Sequence, residues 1–221
     1  MRVFRFVFLF ALLCAVPTAS ADAASRVFIV HGIPGVPVDV YATPAGAPIP
    51  ATATVSSFQP KQIVDVTAGP GSYDIRIYAA GANPQSATPV IQVLGAAIPD
   101  NVELSIVAHL SGAGTPTATV YRNDNAPVAA GWARVSVRHS AQAPAVALTA
   151  GGTPKLAVTN PLFGDLEVPA TTIPLQLVVP FTTTAITPPA SLTFSSGTRY
   201  FVYAIGSASG GTLDFILQAV R

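Results

Sequence analysis

The sequence predicts an all-β protein made of two tandem antiparallel β-sandwich domains, immunoglobulin-like or transthyretin-like in architecture. Three observations support this prediction. Segments that alternate apolar and polar residues recur about every eight to twelve residues, with turn signals between them, as is typical of sandwiches. The 21 prolines in 221 residues recur too often for long helices. Finally, two segments with the same pattern, 25–31 and 133–139, each open a comparable series of strands.

The strand pattern divides the chain into a first copy at 25–122 and a second copy at 132–221, with a linker at 123–131. In the first copy, strands are expected at 26–31, 38–41, 52–58, 61–66, 73–78, 90–94, 103–110 and 117–122. In the second copy, they are expected at 133–139, 146–149, 156–159, 165–168, 175–179, 191–194, 200–205 and 213–220. The linker begins with a polar Asn-Asp-Asn stretch, which breaks the alternation before Trp132 restarts it.

The first 21 residues have the three parts of a secretory signal peptide. Arg2 and Arg5 form a positive region, residues 7–16 are apolar, and residues 19–21 form a small-residue cleavage site. Cys14 is the single cysteine and lies inside this segment, so the mature chain is expected to have no disulfide. The leucine before Cys14 argues against a lipoprotein. We therefore expect an exported protein, periplasmic or extracellular and soluble after cleavage.

Composition excludes two classes of partner. Half of the residues are hydrophobic and 10% are charged, against roughly a quarter in an average soluble domain. Removing Arg2 and Arg5 leaves nine basic residues, scattered singly, beside ten acidic ones. A nucleic-acid-binding protein would instead show a basic patch. Because no later apolar run reaches the ~18 residues of a membrane-spanning helix, we expect no nucleic-acid partner and no transmembrane segment in the mature chain.

The two opening strands differ on the face opposite the core. Side chains alternate along a strand, so this face carries Phe28 and Val30 in the first copy and Ser136 and Arg138 in the second. Since the first strand is apolar on both faces, we expect Phe28 and Val30 to be covered. The cover could be the other domain, the Pro-rich loop at 43–50 or another molecule. The second pair predicts an ordinary solvent-facing side.

His31 and His139 end the core-facing rows of the two opening strands. We expect each imidazole to lie at the rim of its sandwich and to bond to the backbone of the following loop. A metal-ligand role is the alternative, but metal binding needs several ligands that converge on one point. Only His109 remains as a third imidazole, in a distant strand, and no His-x-His or acidic cluster accompanies it. We predict neither a metal nor a cofactor.

Tyr73 and Tyr200 each lie near the start of a strand, after a turn. We expect tyrosine corners, in which the hydroxyl bonds to the backbone upstream, with a stacking platform for a sugar as the alternative. No nucleophile elbow is present, because Ala208 occupies the central position of the segment 206–210. We predict that the protein is not an enzyme. The candidate ligand or loop positions are His31, Asp39, Tyr73, His139 and Tyr200.

Two motifs resemble the family known as domain of unknown function 4397. They are His-Gly-Ile-Pro-Gly-Val-Pro-Val-Asp-Val-Tyr at 31–41 and Val-Thr-Ala-Gly-Pro-Gly-Ser-Tyr at 66–73, with a corresponding second-copy turn from Val168. Domains of that family are bacterial, exported and commonly tandem. They open with His-Ala-Ser-Pro-Asp-Ala-Pro and a Val-Asp-Val-Tyr strand, and later carry Val-Pro-Ala-Gly-Thr-Tyr. The resemblance implies fold and export and carries no activity.

Both copies depart from the family pattern. The first copy has Gly32, Ile33 and Gly35 in its opening loop, which removes the acidic residue found there in the family. The second copy has Ala147 where the first has Asp39. If the loop of the family binds a ligand through its aspartate, neither copy retains that group.

The function expected from the sequence is that of a non-catalytic exported module that binds or spaces an unidentified glycan or protein at the cell envelope. One alternative is a carbohydrate-binding or accessory domain of an extracellular enzyme system, which an exposed aromatic cluster would favour. The other is a structural envelope component, which a long uncovered edge strand would favour through strand addition.

Overall fold

The computed structural model describes residues 23–221, so the predicted signal peptide (1–21) and Cys14 lie outside the described residues. The first half contains β1 (Ser25–His31), β2 (Val38–Pro44), β3 (Val55–Phe58), β4 (Ile63–Ala68), β5 (Gly71–Ala79), β6 (Ile91–Ile98), β7 (Glu103–Leu110) and β8 (Pro116–Arg122). The second half contains β9 (Trp132–Gln142), β10 (Val146–Ala150), β11 (Thr153–Val158), β12 (Phe163–Pro169), β13 (Thr172–Val178), β14 (Ala190–Thr193), β15 (Arg199–Ser207) and β16 (Asp214–Val220). Each strand overlaps a predicted one, which confirms the all-β fold class. In this part of the chain, no helix is long and apolar enough to cross a membrane.

The sixteen strands form four four-stranded sheets, two for each sandwich. The first sandwich has the strand orders β4-β1-β7-β8 and β3-β2-β5-β6. The second sandwich has the same orders eight strands later, β12-β9-β15-β16 and β11-β10-β13-β14. The prediction of two sandwich domains is therefore confirmed. One pair in each sandwich, β1–β7 and β9–β15, runs parallel, so the expectation of antiparallel pairing is wrong for these two pairs and holds for the others. The intervening strands supply the long connection that a parallel pair requires.

An apolar cluster lies between the sandwiches, where the outer faces of two sheets meet. Its members are Phe28, Ile63, Val30, Val107, Tyr121, Phe201, Tyr203, Ile205, Ile216 and Val220. The prediction that Phe28 and Val30 are covered is confirmed, and the second sandwich is the cover. The expectation of a solvent-facing side at Ser136 and Arg138 is wrong, because both side chains are buried and Arg138 is only 1% exposed.

Strand pairing identifies equivalent positions in the two sandwiches. Val66 pairs with Val27 in the same way that Leu166 pairs with Val135, so Val66 and Leu166 are equivalent. The sequence predicted that Val66 corresponds to Val168. That match is therefore wrong by two residues, and so is the position of the turn that follows in the second sandwich. The error arises because a β-strand repeats every two residues, so a shift of two leaves the apolar pattern unchanged.

Candidate functional site

His31 and His139 hold the loops that follow their strands. Nε2 of His31 donates to the carbonyl of Val36 at 3.0 Å, and Nε2 of His139 donates to the carbonyl of Pro144 at 2.7 Å. Each Nδ1 accepts a backbone N–H two residues further along, at 3.3 Å in both sandwiches. Burial lowers the pKa of both imidazoles from the ordinary value, so the neutral form is favoured. Both ring nitrogens are thus engaged by backbone groups.

The third imidazole, His109, is also engaged. Its Nδ1 donates to the carbonyl of Leu110 at 2.9 Å, and its Nε2 accepts from the hydroxyl of Thr119 at 2.8 Å. Burial lowers the pKa of His109, and the nearby His139 lowers it further. Within residues 23–221, no three His, Cys, Asp or Glu side chains are grouped in a way that could hold a metal ion.

Asp39 lies in β2 and ties two other segments of the first sandwich together. Its Oδ1 accepts the N–H of Ser57 at 2.7 Å, and its Oδ2 accepts the N–H of Gly81 at 2.8 Å. The pairing of β2 and β10 with their neighbours places Ala147 at the equivalent position of the second sandwich. The carboxylate therefore holds the loops of one sandwich and has no counterpart in the other.

Tyr73 and Tyr200 both bond to backbone upstream of their strands. The Tyr73 hydroxyl donates to the carbonyl of Gly69 at 3.0 Å, and the Tyr200 hydroxyl accepts the N–H of Ser195 at 2.9 Å. Both contacts have the form of a tyrosine corner. The two residues are not equivalent, because they lie on β5 and β15, which belong to different sheets, and the counterpart of Tyr73 is Ile173.

A buried cation that the sequence did not predict lies between the sandwiches. The Arg138 guanidinium donates to the hydroxyl of Tyr203 at 2.9 Å and to Oδ1 of Asn123 at 2.6 Å. It also stacks on Phe201, 4.4 Å from the ring centroid. Burial lowers the pKa of this arginine from its ordinary value. The signal that could have indicated this position is its equivalence to Val30, which faces the same contact.

An ion pair also joins the two sandwiches. Glu103 of β7 and Arg199 of β15 approach to 2.6 Å, and both side chains are largely buried. Glu103 also accepts from Nδ2 of Asn123 at 3.2 Å. Asn123 is the first residue of the segment expected to be a linker, and it is buried. The contact between the sandwiches therefore combines an apolar cluster with hydrogen-bonded charges.

An apolar cavity of about 260 Å³ between the two sheets of the first sandwich has the shape of a ligand site. Aliphatic side chains of both sheets form its walls, among them Ile29 and Ile106 on one side and Val40 and Ile77 on the other. No charged side chain is among the residues that line it. Cavities of this kind favour apolar molecules, since a charge would lose its hydration there without a partner.

Three residues that line this cavity, Thr54, Thr67 and Gly69, are exposed to solvent. They place the mouth of the cavity near the start of β3 and the end of β4. The hydroxyl of Thr54 accepts the N–H of Ala42 at 3.0 Å. Tyr73, whose hydroxyl bonds to Gly69, also lines the cavity. The sequence prediction thus found one residue of this site, Tyr73, through its turn.

The apolar space of the second sandwich is smaller. It measures about 20 Å³ and is lined in part by Leu148, Leu177 and Val202, the equivalents of Val40, Ile77 and Ile106. Three positions that line the cavity of the first sandwich have larger counterparts in the second, which are Leu148 for Val40, Leu166 for Val66 and Val168 for Ala68.

The second sandwich also has an opening of about 420 Å³ at the equivalents of Val66, Ala68 and Tyr73, but its lining includes the charged side chains of Lys155 and Glu167. Similar strand orders therefore enclose spaces of different volume and chemistry.

Leu156 of β11 packs directly over Gly164 of β12, so closely that a Cβ on this glycine would lie 2.6 Å from Cδ1 of the leucine. The equivalent residues of the first sandwich, Val55 and Val64, are half-buried. The edge strands of the two sandwiches therefore meet through side chains of different size.

Comparison with known proteins agrees with the resemblance found in the motifs. No curated protein sequence matches the chain. The family model described as Domain of unknown function (DUF4397) matches residues 25–149, which cover the first sandwich, β9 and most of β10. This match extends over more than half of the 221 residues. The chain therefore belongs to the DUF4397 family.

Proposed function

We propose that the chain is an exported, non-catalytic binding module of the cell envelope, in which the first sandwich receives a small apolar ligand and the second sandwich is a rigid support. The observation that carries this proposal is the cavity of about 260 Å³ in the first sandwich. Protein interiors contain few voids larger than a water molecule, so an open space of this size in a sandwich core has the character of a binding site.

Two further observations support the proposal. Three side chains of the first sandwich that could perform acid–base chemistry, His31, Asp39 and His109, are bonded to backbone groups and to a threonine. The buried pair Glu103–Arg199 joins the support to the binding sandwich. Export rests on the N-terminal segment 1–21, which has the pattern of a signal peptide.

The test is a pull-down with the mature chain, residues 22–221, as bait. Envelope and culture-medium fractions are passed over it, and eluted lipids, glycans and proteins are identified by mass spectrometry. The matched control is a filled variant, Val40→Leu with Val66→Leu and Ala68→Val, which installs the residues of the second sandwich at three positions that line the cavity.

We expect a small apolar molecule to be recovered by the natural chain and to be depleted from the filled variant. Recovery of a glycan by both baits would favour the carbohydrate-binding alternative. Recovery of a protein by both baits would favour the structural alternative. Either of these results would overturn the proposal that the cavity is the binding site.

A further inference from the structure

We infer that the cavity takes an uncharged, elongated molecule with about ten carbon atoms in its buried part and one neutral hydrogen-bonding group at the mouth, such as a medium-chain alcohol, ester or amide. This inference rests on the proposed function and specifies the ligand class of the same site. Volume, shape, charge and the chemistry of the mouth each contribute to it.

The volume of the cavity sets the size of the ligand. A dry cavity of roughly 150 Å³ accommodates benzene, which has six carbon atoms. In proportion, the 260 Å³ of the first sandwich corresponds to about ten carbon atoms. A sterol or a full-length phospholipid tail pair would not fit without separating the two sheets.

The shape of the cavity favours a chain over a compact ring system. The space is a slot between two facing sheets, and its lining runs along β5 from Tyr73 through Ile75 to Ile77. Tyr73 and Ile77 are four residues apart, which is roughly 13 Å along a strand. Tyr73 marks the mouth, and Phe58 and Ile77 belong to the deep end.

The charges around the cavity argue against an ionised ligand. No charged side chain lines the cavity. The ionised residue nearest to the mouth on β4, Asp65, is paired with Arg26 at 2.7 Å. A carboxylate or an ammonium group on the ligand would therefore lose hydration without gaining an ionic partner.

The mouth offers one donor and one acceptor to a neutral group. The Thr54 hydroxyl accepts the N–H of Ala42 at 3.0 Å. Its own hydrogen has only a long contact of 3.5 Å, with the carbonyl of Ala42. That hydrogen can turn to a ligand oxygen. The Tyr73 hydroxyl donates to Gly69, so its own oxygen is free to accept. An alcohol or an amide with an N–H can use both groups, and an ester can accept from Thr54.

The experiment compares three ten-carbon probes at pH 8 by isothermal titration calorimetry with the mature chain: 1-decanol, sodium decanoate and decylammonium chloride. We expect decanol to bind and both ions to bind at least tenfold more weakly. The filled variant defined above should lose at least tenfold in decanol affinity. Thr54→Val, which keeps the shape and removes the hydroxyl, should lose about three- to tenfold.

The matched control is the reverse variant Leu148→Val with Leu166→Val, which removes methylenes from the second sandwich and should leave decanol affinity unchanged. Circular dichroism confirms that each variant is folded. Equal binding of decanol and decanoate, or decanol binding that the filled variant retains, would overturn the inference. Failure of all three probes would also overturn it. If the pull-down still recovers another small molecule in a cavity-dependent manner, only the ligand class is wrong and the proposed function stands.

Discussion

The two sandwiches enclose different volumes within sheets of the same strand order. The first contains an apolar cavity of about 260 Å³, whereas the second contains an apolar space of about 20 Å³ and an opening of about 420 Å³ whose lining includes Lys155 and Glu167. Both retain the same histidine contact with the loop after the opening strand. The difference lies in side chains such as Ala68, which lines the cavity, and its counterpart Val168. Backbone topology therefore does not determine which space a sandwich encloses.

The outer faces of the opening strands give a second comparison. Val30 and Arg138 are equivalent positions, and both lie buried at the contact between the sandwiches. Val30 packs in the apolar cluster, whereas the two terminal nitrogens of Arg138 donate to Tyr203 and Asn123 and its Nε has no hydrogen-bond partner. The same location thus accepts either an aliphatic side chain or a cation, provided that the cation has hydrogen-bond acceptors and aromatic rings around it.

The largest loss of stability is expected when Val30 is replaced by arginine, the residue at the equivalent position 138. Val30→Arg places a second guanidinium in the apolar cluster, without the partners that Arg138 has, and should lower the free energy of unfolding by about 3–5 kcal/mol. Urea denaturation followed by circular dichroism measures this change. Val36→Arg is the control, because Val36 is exposed and should change stability by less than about 0.5 kcal/mol. Equal midpoints for both variants would show that the contact between the sandwiches is not formed.

A smaller loss of stability should distinguish the two cores. Leu177→Ala removes a side chain from a filled core and should cost about 2–5 kcal/mol. Ile77→Ala, at the equivalent position, removes a side chain that already borders empty space and has fewer contacts to lose, so its cost should be about half. Chemical denaturation of the two variants gives both values. A larger loss for Ile77→Ala would contradict the difference in packing.

The smallest predicted effect is the pH dependence of stability that comes from the buried histidines of both sandwiches. Burial lowers the pKa of His31, His109 and His139 below the ordinary 6.5 in the folded protein. The unfolded chain therefore binds more protons below about pH 6.5, and stability should be constant above that range and fall as the pH decreases through it.

Unfolding curves between pH 8 and pH 5 measure this dependence. His31→Gln and His139→Gln should each flatten it by a similar amount, because the two imidazoles make the same contacts. Unchanged pH dependence in both variants would mean that these histidines do not contribute.

Much of the fold followed from local pattern in the sequence. The alternation in segments such as 73–78 and 103–110 predicted strands, and the repeated opening strand predicted two sandwiches. Even a tertiary contact was predictable, because a strand with Phe28 and Val30 on its outer face needs a cover. The backbone contacts of His31 were expected for a similar local reason, since a strand-end histidine lies beside the loop that follows it.

The cavity could not be predicted in the same way. It depends on the summed volumes of side chains from two sheets, so the sizes of Val40 and Ala68 matter only once the two sheets pack face to face. The burial of Arg138 was missed because an arginine in an alternating strand has the pattern of a solvent-facing residue. Its acceptor Asn123 lies in the segment expected to be a linker.

The difference between the two cores can be measured directly by a crystal structure of the mature chain under xenon pressure, since xenon enters dry apolar cavities. We expect a xenon atom in the first sandwich, in contact with Ile29, Val40 and Ile77, and none between the sheets of the second. An empty first sandwich, or equal xenon occupancy in both, would contradict the difference between the cores.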